Sequence, residues 1–204
     1  MEKLDLKKHY KALYNPPKGK FEIVDVPPLQ YVRIDGAGDP NTAEAYQAGV
    51  AWLFSVSYAM KFAAKAELGR DYVVGPLEAL WWAEDMLTFL TRKKSDWQWT
   101  IMILQPEFAT TKLFEKAVEK SGKKLGAAPS SLRFMSYHEG LSVQTLHVGS
   151  YDDEAPTLAR LHKEYVPANG LKETGHHHEI YLSDPRKVAA EKLKTILRQP
   201  VKRI

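Results

Sequence analysis

FEIVDVPPLQYVRIDG (residues 21–36) and FMSYHEGLSVQTLHVG (residues 134–149) share one pattern: an alternating apolar run, a tight turn, a second run and a closing glycine. Alternation with period two marks a half-buried strand, so each stretch predicts strand, turn and strand. Working outward, each is followed at once by a helical pattern, over about 40–67 in the first copy and about 154–167 in the second. Asp39 before Pro40 reads as an N-cap with proline at the first helical position, and Pro156 plays the same part in the second copy. Two more strands follow in each half, at about 72–82 and 97–105, then 174–183 and 195–202. The last strand of each half carries Gln-Pro, at Gln105-Pro106 and Gln199-Pro200. The pattern predicts an α+β fold of duplicated β-α-β-β modules with antiparallel sheet and pseudo-twofold symmetry.

The modules span about 21–106 and 131–204 of a single domain. Between them Leu113, Phe114, Ala117 and Val118 mark one face of a connecting helix at about 110–121, with Gly122 as a left-handed stop. Residues 1–20 form an N-terminal extension, a solvated turn or short helix whose Leu4, Leu6, Tyr10 and Leu13 rest on the body.

The chain of 204 residues is 44% hydrophobic and has no cysteine, which excludes a disulfide framework, a thiolate metal site and a cysteine nucleophile. Its net charge of +4 comes entirely from residues 1–20, where six lysines face two acids; the other 184 residues hold 23 basic and 23 acidic side chains. No basic field of the kind nucleic acid needs is expected. The longest uncharged run, residues 45–60, is too short to span a bilayer, and the N-terminus lacks the apolar core of a secretory signal. No membrane association and a cytoplasmic location are expected.

The phosphate-loop, dinucleotide, metalloprotease and serine-elbow motifs are absent. His176, His177 and His178 lack acidic or thiolate neighbours at metal-ligand spacing, so neither metal nor cofactor is expected. In HHHEIYLSDPR (176–186), Ile180 and Leu182 fit the packed face of a strand, while His177, Glu179 and Tyr181 share the other. A carboxylate and a phenol then stand side by side. Five tryptophans accompany them, and alternation sends Trp81 and Trp82 to opposite faces. A carboxylate with aromatic walls suits a flat, apolar, cationic or electrophilic ligand. Asp152, Asp153 and Glu154 read as caps of the second helix, and Asp184-Pro185 as a strand exit.

The strings YVRIDGAGDPN, GPLEALWW, WTIMILQP, HVGSYDDEAPT and HHEIYLSDPRKVAAEKLKTILRQPV together resemble the GyrI-like small-molecule-binding family, over about residues 20–204. More narrowly, they resemble its stand-alone members described as cyclopropanoid cyclopropyl hydrolases. The resemblance implies a ligand cleft between two modules and the hydrolysis of planar genotoxins bearing a strained cyclopropane, which protects the cell. Relatives include effector domains of multidrug-responsive regulators, but no helix-turn-helix segment precedes this domain, so the regulatory role is not carried over. In this reading Glu179 is the base and Tyr181 the hydroxyl donor. Trp52, Trp82, Trp99 and Tyr137 are candidate walls, and His147, Tyr151 and His177 are further ligand contacts. Glu78 occupies nearly the pseudo-symmetric place of Glu179 and is the second choice of carboxylate. The partner is a planar apolar or cationic small molecule; a non-catalytic module sequestering such ligands is the alternative. Oligomeric state stays open.

Overall fold

Two successive prolines, Pro27 and Pro28, decide how the chain is routed. Each fixes φ and lacks an N–H, and each forces the preceding residue into extended geometry, so the chain leaves residues 22–26 without turning back. The computed structural model describes residues 3–84 and 93–204. Its strands are β1 (Lys3–Asp5), β2 (Glu22–Val26), β3 (Leu29–Ala37), β4 (Asp71–Val73), β5 (Glu78–Trp82), β6 (Gln98–Gln105), β7 (Arg133–Tyr137), β8 (Gly140–Val148), β9 (Leu171–Glu173), β10 (His177–Tyr181) and β11 (Lys194–Arg203). Helix and sheet in this order make the α+β class that the pattern predicts. The tight turns do not close hairpins, however: β2 pairs with β8, and β3 pairs with β7. Among the described residues neither β2 with β3 nor β7 with β8 forms a ladder. The chain accordingly folds as two compact units, one of Met1–His9 and Leu29–Tyr137, the other of Tyr10–Pro28 and His138–Ile204.

In the first unit, β5, β6, β3 and β7 form an antiparallel sheet in that order. One face carries Val32, Ile34, Trp99, Ile101, Ile103, Ala79 and Trp81, all buried. The helix Glu44–Leu68 packs on this face through Trp52, Leu53, Val56 and Met60. Contact is close at Gly49, where a Cβ would lie 2.9 Å from Ile101 Cδ1. Tyr46 stacks on Trp81 at 6.1 Å and meets Trp99 edge-on at 5.1 Å. Gly36 lies under the Trp99 ring, 2.2 Å from where its Cβ would be, so no other residue fits there. The helix Thr111–Leu125 adds Phe114 against Phe134 at 5.9 Å.

Three local expectations are corrected here. The long helix starts at Glu44 rather than at Pro40, because Asp39 forms its own turn: its carboxylate accepts the Asn41 N–H at 2.9 Å and its carbonyl accepts the Ala43 N–H at 2.7 Å. Gly122 does not stop the connecting helix, which runs on to Leu125 and ends at Gly126, where φ is +83°. Gly122 lies inside the helix beside the Trp52 ring. Residues 3–14 are more ordered than a solvated extension: β1 pairs in parallel with β4, and Leu6, Leu13 and Tyr14 are buried.

In the second unit, β2, β8, β11 and β10 form an antiparallel sheet, with β9 beside the end of β11. The helical segment over residues 151–168 covers one face, where Val143, Leu161, Val166, Leu171 and Val201 form the core. Pro156 stands in the first helical turn, as predicted. The other face holds a buried polar network. Arg198 donates to Glu139 Oε2 at 3.1 Å, Gln144 Oε1 at 3.0 Å and the Leu13 carbonyl at 2.6 Å. His178 Nδ1 meets Glu139 Oε1 at 2.9 Å, and Gln144 donates to Glu22 and to the Ala12 carbonyl. Burial acts to raise the Glu139 pKa, but the charges of His178 and Arg198 outweigh it and hold the group at about 2.

Removing one partner from such a network strands a charge, so Arg198→Met should cost about 3–5 kcal/mol in urea unfolding. Because the folded-state pKa of Glu139 lies below its ordinary 4.5, its contribution is complete above that pH. It should disappear as pH falls from about 4.5 towards 2 in the wild type, and be missing throughout in Glu139→Gln. A division after Gly122 would take β7 from the first unit and residues 10–28 from the second. Fragments 1–122 and 123–204 should therefore each fail to give a cooperative unfolding transition.

Candidate functional site

Antiparallel pairing of β10 with β11 sorts the side chains of HHEIY. His178 opposes Arg198 and Ile180 opposes Ile196 on one face, whereas Glu179 opposes Leu197 and Tyr181 opposes Thr195 on the other. On that second face the Tyr181 hydroxyl donates to Glu179 Oε2 at 2.7 Å. The Glu179 side chain keeps only 16% of its exposure. Tyr151, from the turn before the helical segment, stands edge-on to Tyr181 with ring centroids 5.7 Å apart. Burial pushes the Tyr151 phenol up to about 12, and the charge on Glu179 adds to the shift.

Glu154 completes this cluster, and it is the residue that sequence reasoning missed. It makes no side-chain cap to the helix; Asp153 instead accepts from the Ser150 hydroxyl at 2.6 Å. Glu154 is 4% exposed, and its Oε1 has no hydrogen-bond partner among the described residues. Burial first, and then the charge on Glu179, push its carboxyl up to about 10, while the nearby Thr195 hydroxyl opposes them. Burial therefore favours its neutral form. The carboxyl is buried instead of meeting the helix start. The available signal was Pro156 two residues on, which removes one of the N–H groups that a cap would receive.

His177 shares the face of Glu179, with Nε2 3.6 Å from Glu179 Oε1. Neither ring nitrogen of His177 has a hydrogen-bond partner among the described residues. The His162 ring lies 6.3 Å away and bonds Glu173 at 2.7 Å. His147 opposes Thr195 from β8, but its Nε2 is engaged by the Ser150 carbonyl at 3.0 Å. It lines an open recess of about 470 Å³ with Lys18, Asp153 and Glu191, outside the tyrosine–glutamate cluster.

The first unit places Glu78, Trp82 and Tyr137 on the sheet face away from the long helix. Glu78, fully buried, opposes Met102, which opposes Arg33. The Arg33 guanidinium lies 4.9 Å from the centre of the Tyr137 ring, and Trp82 donates from Nε1 to Gln98 at 3.2 Å. Burial, followed by the neighbouring charge of Arg133, lowers the Arg33 pKa. Trp52 and Trp99 are 3% and 0% exposed and pack inside the first unit, beside Gly122 and Gly36 respectively. Among the described residues no group of three or more histidines or carboxylates could hold a metal, and no helix is long and apolar enough to cross a membrane.

An α+β fold with a carboxylate set among aromatic rings defines a small-molecule-binding class. The sequence matches the GyrI-like small-molecule-binding domain over residues 19–202, and the chain belongs to that family. An uncharacterized conserved protein from Listeria innocua is 39% identical with a TM-score of 0.90, covering 98% of this chain and all of its own. A hydrolase from Listeria innocua is 38% identical with a TM-score of 0.84 over the same shares. The EcmrR C-terminal domain, 14% identical with a TM-score of 0.58 over 91% of this chain and 98% of that one, shares the fold. No curated protein matches the sequence.

Proposed function

We propose that this protein hydrolyses planar electrophiles in which a strained cyclopropane is fused to a dienone, with Glu179 as general base and Tyr181 as hydroxyl donor. The observation that carries the reading is the 2.7 Å bond from the Tyr181 hydroxyl to Glu179 on a half-buried face beside Tyr151. Its support from relatives is that a protein 38% identical is described as a hydrolase. Tyr181 fixes one carboxylate oxygen and leaves the other to take a proton from water. The water oxygen bonds to the strained carbon as the ring C–C bond breaks. That electron pair runs through the dienone to its oxygen, which becomes a phenolate and is held by the Tyr151 hydroxyl, while the Tyr181 hydroxyl passes from Glu179 to it as the base takes up the water proton. Aromatic edges hold the flat ring system and exclude bulk water.

Glu179→Gln keeps shape while removing the base. The rate of ring opening, followed by absorbance, should fall about 10²- to 10⁴-fold with affinity changed only a few fold. Tyr181→Phe should cost less, since Tyr151 can supply a second hydroxyl. No turnover by the wild type, together with tight binding that Glu179→Gln abolishes, would identify instead a protein that sequesters lipophilic cations. In a separate titration, a planar polycyclic electrophile should quench tryptophan emission where a nucleotide or a sugar does not; equal responses would refute a flat apolar ligand.

A further inference from the structure

Glu154 has no place in the two-residue scheme above, yet its surroundings suit it to one task. The residue is 4% exposed, its Oε1 has no hydrogen-bond partner, and no basic side chain pairs with it among the described residues. The groups that act on it are Glu179 from β10, Thr195 from β11, and Asp152 and Tyr151 from its own turn. An ionised carboxylate set there would be a buried charge facing other carboxylates, an arrangement that proteins avoid by keeping the proton. Two carboxyls in one cluster, one sealed from solvent and one bonded by a phenol at a part-exposed position, are the pattern of an acid and base pair.

We propose that Glu154 is the proton donor of the site, delivering its proton to the oxygen that gathers charge while Glu179 removes one from water. This rests on the hydrolase reading. The balance is complete: water adds as C–O, the ring C–C bond breaks, its electron pair reaches the dienone oxygen, and that oxygen takes the proton of Glu154. Glu179 then holds the proton taken from water, and its passage to Glu154 restores both groups. No other reactant is needed.

The test uses the full-length protein and its Glu154→Gln and Glu154→Asp variants. Infrared difference spectra at pH 7 should show the carbonyl band of a neutral carboxylic acid in the wild type and in Glu154→Asp, and its loss in Glu154→Gln. The folded-state pKa of Glu154 is raised above its ordinary 4.5 towards about 10, so its contribution to stability is complete below 4.5 and falls as pH rises towards 10. Glu154→Gln should therefore melt with the wild type at pH 4 and several degrees above it at pH 9. With a cyclopropane-bearing dienone, Glu154→Gln should lower kcat about 10²- to 10⁴-fold with KM nearly unchanged. It should also remove the decline in rate towards pH 10, and Glu154→Asp should recover part of the rate. A band that survives in Glu154→Gln, or an unchanged kcat, overturns the donor role. Absence of turnover in the wild type with the band present overturns the hydrolase reading and the donor role with it; turnover without the band overturns the donor role alone.

Discussion

Everything proposed for this protein depends on the antiparallel register of β10 against β11. Because successive side chains alternate, one pairing decides two environments at once. His178 and Ile180 are committed to the buried face with Arg198 and Ile196, and Glu179 and Tyr181 are committed to the other with Thr195. A slip of one residue would exchange the two sets, turning His178 away from Arg198 and Glu179 towards it. The network opposes that slip. His178 bonds Glu139, which Arg198 also reaches, and this shared carboxylate ties β10 to β11 in the register that presents the site.

Carboxyls in this unit show how environment assigns roles to one functional group. Glu139 is buried with two cationic partners and stays ionised; Glu154 is buried with none and keeps its proton. Glu179 sits between these extremes, part-exposed and bonded by a phenol. A neutral buried acid such as Glu154 costs stability at every pH above its ordinary range, and sites of function are where such costs are retained.

In the first unit the demands are those of packing. Tyr46, Trp81 and Trp99 interlock with one another above glycines at 36 and 49, which admit a ring and a side chain where a Cβ would intrude. Trp82 and Tyr137 lie on the opposite face with Glu78 and Arg33. Alternation alone separates Trp81 from Trp82. It does not say which face a helix covers.

Much was legible in the sequence: the α+β class, the order of strands and helices, the shared face of His177, Glu179 and Tyr181, and the family. These follow from local periodicity, from proline and glycine chemistry and from motif strings, all of which act over a few residues. Strand partners were not legible, because the prolines at 27 and 28 say that the chain runs on but not where it pairs. Nor were the burial of Trp52 and Trp99, the end of the helix beyond Gly122, or the inward turn of Glu154. A capping carboxylate and a buried proton donor look alike in one dimension. They differ only in the solvent and charge around them, and those are supplied by β10 and β11, distant in sequence, when the sheet closes beneath the helical segment.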